Sequence, residues 1–127
     1  MQAILTPIGV FHTLEKNIPR HWTISDVVGD LVIEKKYQDG LKDMMPGQKI
    51  IVIFHFHKSP PFENANLIQK PKHRDHEMGV FSICSPLRPN PIGLSVLEIV
   101  KIDENVVTVT HADIVDGTPI LDIKPYM

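Results

Sequence analysis

The chain has 127 residues, enough for one domain around a single sizeable core, and its 43% hydrophobic and 22% charged content is that of an ordinary globular protein. A formal net charge of −2 gives no whole-molecule attraction to nucleic acid or to an anionic membrane, so any such contact has to use a local patch. One cysteine, Cys84, excludes a disulfide framework and a multi-cysteine zinc site, and no apolar run approaches the roughly 18 residues of a membrane span.

In chain order, Met1–Pro7 lacks the basic region and long apolar core of a signal peptide, so a cytoplasmic address is the default expectation. Ala3 to His12 is apolar and β-branched around Pro7 and Gly9, and reads as a first strand with an early kink. Leu14 to Trp22 is a polar loop. From Ile24 to Lys36 the β-branched content favours a strand over about Leu31 to Lys36, after a break at Gly29-Asp30. Tyr37 to Gly47 carries two turn signals, Asp39-Gly40 and Pro46-Gly47, with at most one helical turn between them. Gln48 to His57 is the clearest strand: Ile50 to Phe54 is continuously apolar, as expected of a strand covered on both faces. Lys58 to Glu77 is a long loop with three prolines. A short strand at Val80-Phe81 leads to Pro86, and Leu94 to Ile102 and Val106 to Val115 form a hairpin across Asp103-Glu104-Asn105. The turn Asp116-Gly117-Thr118-Pro119 and a strand from Ile120 to Ile123 complete the chain. Six or seven short strands, long proline-rich loops and little helix predict an all-β, single-domain β-barrel over residues 1–127.

The chemistry-bearing residues lie mainly in the loops. Pro86, Pro89 and Pro91 stiffen the segment that presents Arg88 and Asn90, which suits either a binding loop or a rigid corner. His55 and His57 are spaced for two metal ligands, but no carboxylate motif accompanies them, so no metal is expected. Cys84 has no local base to make it a nucleophile and reads as a small buried residue. Lys58, Lys70, Lys72 and Arg74, with Arg88, suit either phosphate contacts or a solvated loop. Neither a Gly-x-Gly-x-x-Gly after a strand nor a Gly-x-x-x-x-Gly-Lys occurs, which argues against a Rossmann cofactor site and a P-loop.

Taken together, Pro7-Ile8-Gly9-Val10, Pro19-Arg20, Phe54-His55-Phe56-His57, Gly79-Val80-Phe81 with Ser85-Pro86, Arg88-Pro89-Asn90-Pro91-Ile92-Gly93, and Asp113-Ile114-Val115-Asp116-Gly117-Thr118-Pro119 continuing to Asp122-Ile123-Lys124-Pro125-Tyr126 resemble the TsaA-like, or TrmO-type, tRNA methyltransferases. The resemblance covers nearly the whole chain. It implies a β-barrel that binds S-adenosylmethionine as a homodimer and methylates N6 of threonylcarbamoyladenosine at position 37 of the tRNA anticodon loop. By that likeness the cofactor contacts are Pro19, Arg20, His21, His57, Lys58, Cys84, Leu94, Ile114, Val115, Asp116 and Gly117. Asp116, Asn90 and Tyr126 take catalytic roles, and Arg88, Lys124, Lys70, Lys72 and Arg74 face the tRNA. Two positions depart from the family pattern: Ile83-Cys84 stands where Thr-Arg is usual, and His21 where Gln is usual. A non-catalytic S-adenosylmethionine-binding or interaction module on the same barrel, and a methyltransferase for a small molecule or protein, stay open as alternatives.

Overall fold

Alternation of side chains along the strands sets the architecture. In Lys49–His55, Ile50, Val52 and Phe54 are buried, while Ile51, Ile53 and His55 stay partly exposed. Such a strand has one core face and one outer face, as in the wall of a barrel. The computed structural model describes residues 1–127 and shows a closed six-stranded antiparallel barrel. Its strands are β1 (Gly9–His12), β2 (Gly29–Ile33), β3 (Lys49–His55), β6 (Ile92–Asp103), β7 (Val106–Thr110) and β8 (Pro119–Pro125), in the closed order β1-β2-β7-β6-β3-β8. A separate ribbon, β4 (Ile68–Gln69) and β5 (Met78–Gly79), lies within the long loop. Closure leaves no open sheet edge in the barrel, and Phe11, Leu31, Leu97, Ile99, Val107, Val109 and Ile120 fill its interior with the β3 residues. Register shifts between Ile53 and Phe54 and between Ile99 and Lys101 supply the local twist that bends long strands around a small barrel.

Several expectations change in three dimensions. The continuous apolar run of β3 is not covered on both faces, because the barrel has no second layer outside it. The first strand is shorter than Ala3–His12, since residues 1–7 are exposed and Pro7 has no N–H to add to the ladder. Gly29-Asp30 opens β2 instead of breaking the chain. The Phe11 ring covers the space above Gly29, and Asp30 Oδ1 accepts from Thr108 Oγ1 of β7 at 2.6 Å. Residues 34–36 leave the sheet, and Lys35–Leu41 is a 3-10 helix, longer than one turn.

Val80-Phe81 is not a strand. Val80–Ser82 is a 3-10 turn that buries Val80 and exposes Phe81. The strand expected over Val106–Val115 stops at Thr110, because His111 takes a left-handed conformation (φ 70°) and its Nδ1 lies 3.0 Å from the carbonyl of Ser25. Residues 112–118 then cross the end of the barrel, held by Ala112 N–H on Val27 O at 3.0 Å and Ser25 Oγ on Ala112 O at 2.5 Å.

Candidate functional site

The antiparallel registers place the ends of β1, β3 and β7 beside the beginnings of β2, β6 and β8. At this upper rim three crossings meet: residues 13–28, 56–91 and 111–118. The lower rim carries residues 34–48, the tight Glu104-Asn105 turn and both chain termini.

The proline loop is fixed on the upper rim by many bonds. Arg88 Nη1 donates to Ile83 O at 3.1 Å and Ser85 O at 3.0 Å, bracketing Cys84 from both sides. Gln69 Nε2 donates to Leu87 O at 2.7 Å, Ser59 Oγ to Pro86 O at 3.1 Å, and the Phe56 N–H to Pro91 O at 2.8 Å. The loop that sequence leaves as a polar tract is therefore ordered against its neighbours, with a 3-10 turn at Asn64–Leu67 capped reciprocally by Glu63 and Asn66. Where β6 begins, Gly93 lies opposite Phe54, and a Cβ there would collide with the Phe54 and Phe56 rings.

Most expected site residues share this rim. Pro19 and His21 are half-buried and Arg20 is exposed; the His21 ring stacks on Trp22 with centroids 3.8 Å apart. His57, Lys58 and Asn90 are exposed on the same crossings, as are Lys70, Lys72 and Arg74. Cys84, expected to be buried, is exposed too, because it sits at the outside of the bend that Arg88 ties through the carbonyls of Ile83 and Ser85. Leu94 points outward from β6, with Ile53 of β3 as its cross-strand partner. Ile114 is buried, so its side chain serves the core and cannot be a ligand contact; Val115 and Asp116 are exposed, and Gly117 has φ +87°. Lys124 and Tyr126 are not brought to this rim. They lie at the lower end of β8, where Lys124 pairs with Asp122 at 3.0 Å and the Tyr126 N–H donates to Lys49 O. Beside them is a cleft of ≈ 660 Å³ that includes Tyr37, Lys42, Met44 and Lys124 in its walls and no upper-rim residue.

Two carboxylates on the upper rim have opposite environments. Asp116 Oδ1 accepts from the Thr13 N–H at 3.1 Å and lies 3.2 Å from His12 Nδ1, and these bonds hold its pKa below the ordinary value. Asp113 is half-buried, and burial pushes its pKa up, opposed by the Ser95 hydroxyl bond and the charge of His21. Ser95 is fully buried and donates to Asp113 Oδ1 at 2.5 Å. Sequence reasoning missed Asp113, Ser95 and His12 as site residues. The alternation of β6 puts Ser95 inside, a polar residue among apolar ones, and that was the available signal. No three His, Cys, Asp or Glu side chains come together as a cation site would need.

A closed antiparallel barrel with one polar rim fed by long crossings, and no glycine-rich nucleotide turn, defines a compact ligand-binding barrel of the non-Rossmann kind. Residues 8–127 match the tRNA-methyltransferase O N-terminal domain, and the chain belongs to that family. It is 38% identical over 126 residues to an S-adenosyl-L-methionine-binding protein of Archaeoglobus fulgidus, covering 97% of this chain and 88% of that one. A probable S-adenosyl-L-methionine-binding protein of Pyrococcus abyssi is 37% identical over 95% of this chain, which spans 66% of that relative's length. A tRNA (adenine(37)-N6)-methyltransferase of Mus musculus is 41% identical over 76 residues, 60% of this chain and 18% of the mouse protein. The fold superposes on the crystal structure of TrmO from Pseudomonas aeruginosa with a TM-score of 0.79 at 26% identity, covering all of this chain and 57% of that one.

Proposed function

We propose that this chain binds S-adenosylmethionine at the upper rim and, as a homodimer, transfers its methyl group to N6 of threonylcarbamoyladenosine at position 37 of the tRNA anticodon loop. The observation that carries this reading is convergence: segments 19–21, 57–58, 84–94 and 114–117, far apart in sequence, all meet at one end of the barrel. The donor set fits a cationic nucleoside, with the half-buried Asp113 carboxylate, the His21-Trp22 stack and the rigid proline loop side by side at the rim. When bound, S-adenosylmethionine supplies an electrophilic methyl on positively charged sulfur, and the bonding electrons stay on sulfur as the methyl passes to nitrogen.

The residues of this chain have mainly to align and to receive a proton. A loop already stiffened by three prolines and the Arg88 clamp holds its groups with little further ordering. Asp116, kept ionised by Thr13 and His12, is suited to accept a hydrogen bond from N6–H but is a weak base. His12, fixed by Asp116, is placed to take the proton on its free Nε2. An unstacked anticodon base needs an aromatic platform, and the stacked His21-Trp22 pair on this rim is the proposed one. The homodimer is supported by the outward apolar strip of Ile51, Ile53, Ile92, Leu94 and Val96, and by Lys124 and Tyr126, which reach an upper-rim site only from a second copy.

Mass spectrometry of tRNA nucleosides from a deletion strain tests the reading. Methylated threonylcarbamoyladenosine is expected to disappear and to return with the wild-type chain but not with Asp116→Asn. An unchanged nucleoside in the deletion strain overturns it. A second reading, cofactor binding without catalysis, is favoured by Cys84 at the place of the family arginine. It predicts S-adenosylmethionine binding in calorimetry together with unaltered tRNA.

A further inference from the structure

Asp113 belongs to the donor set of the proposed cofactor site but moves no proton in the transfer, and its setting is unlike that of the other acidic groups of the rim. It comes from the crossing that caps the barrel, is half-buried, and is bonded to the fully buried Ser95 of β6 at 2.5 Å. That hydroxyl engages Oδ1 and leaves Oδ2 without a side-chain donor. The backbone N–H groups of Asp113 and Trp22 favour its ionised form as well, yet burial outweighs these donors together, and a nearby cation offsets what is left. Asp116, by contrast, is exposed and already engaged by Thr13 and His12.

Asp113 also lies where three of the proposed cofactor segments meet. It precedes Ile114–Gly117 directly, faces His21 of the 19–21 segment, and is bonded to the residue that follows Leu94. Within the proposed cofactor segments the fixed charges are Arg20, Lys58 and Arg88, which repel a positive ligand, and Asp116, already engaged by Thr13 and His12.

We propose that Asp113 reads the positive charge of the methyl donor, so that the site holds the sulfonium form and releases the neutral thioether product. This rests on the proposed cofactor site. S-adenosylmethionine and S-adenosylhomocysteine share adenine, ribose, carboxylate and ammonium, and differ by one methyl and one charge. A carboxylate near sulfur separates them electrostatically, in a partly desolvated place where the interaction exceeds its value in water. Once the methyl has left, sulfur is neutral and the attraction is gone.

Asp113→Asn is nearly isosteric and keeps an oxygen to accept from Ser95, so it removes the charge with little change of shape. The test is calorimetric titration of the full chain with each of the two ligands, across pH. Wild type is expected to prefer S-adenosylmethionine, with an affinity that weakens as acid protonates Asp113. The variant should lose about tenfold for S-adenosylmethionine and less than about threefold for S-adenosylhomocysteine. Its pH slope should flatten relative to wild type; His21, Ser95 and the Trp22 backbone are the groups that face Asp113. Ser95→Ala, which removes the stabilising donor, should move the acid midpoint of binding upward. Equal losses for both ligands would assign Asp113 to the shared ammonium, and no loss would make it a structural group; either overturns the proposal. No binding of S-adenosylmethionine by wild type would instead overturn the cofactor site itself.

Discussion

Asp113 and Asp116 are three residues apart on one crossing of the rim, and their surroundings drive them in opposite directions. Burial disfavours the ionised form of Asp113, so the folded chain binds its proton more tightly than the unfolded chain does. Stability therefore falls as pH rises from the unfolded value of 3.8 to the raised folded value, and the penalty is fully present above it. Asp113→Asn is expected to raise the thermal midpoint at neutral pH, with the gain vanishing below the ordinary carboxylate range; melting curves at several pH values check this. A gain in stability on removing a functional charge is the usual signature of a site residue. None of this was legible in the sequence, where Asp113 is one more acidic residue before a turn, because desolvation depends on β6 and the 19–22 segment closing over it.

Among the elements, β3 and β6 carry the most weight, since they form one wall of the barrel and end in the rim loops. Their facing pair Phe54 and Gly93 shows how closely the wall is fitted: the ring fills the space a side chain would take. Gly93→Ala is expected to destabilise by about 1–3 kcal/mol through overpacking. Gly40→Ala, with open space around its Cβ, should be neutral or stabilise by up to about 1 kcal/mol. Urea unfolding of the two variants separates these outcomes. Local pattern found β3 and the β6-β7 hairpin, because alternation and a tight polar turn are encoded in neighbouring residues. It misjudged the end of β7, because His111 turns left-handed to meet Ser25, a residue 86 positions away.

For the whole molecule, the two rims lie about one seven-residue strand apart, roughly 20 Å. Tyr126 and Asp116 thus belong to one sequence block and to opposite ends of the protomer. A second copy docked on the Ile53-Leu94 face is the proposed remedy, and Leu94→Lys is expected to leave a monomer in light scattering where wild type is a dimer. A monomeric wild type would defeat that arrangement. With a net charge of −2, the proposed tRNA binding has to rely on a local patch. Replacing Lys70, Lys72 and Arg74 together by Ala should lower the slope of log affinity against log salt by about 2, as three contacts to a single strand require. Filter binding at several salt concentrations measures it.

By itself the sequence determined the all-β class, the hairpin, the stiffness of the proline loop and the family motifs, since each rests on short-range periodicity or on proline and glycine geometry. Only the tertiary structure decided which of those motifs meet. Barrel closure pairs β8 with both β1 and β3, strands some 110 and 70 residues away, and such pairings follow from the packing of distant faces. That closure brings the proposed cofactor segments to one rim, sends Lys124 and Tyr126 to the other, and draws Asp113 partly out of water beside Ser95.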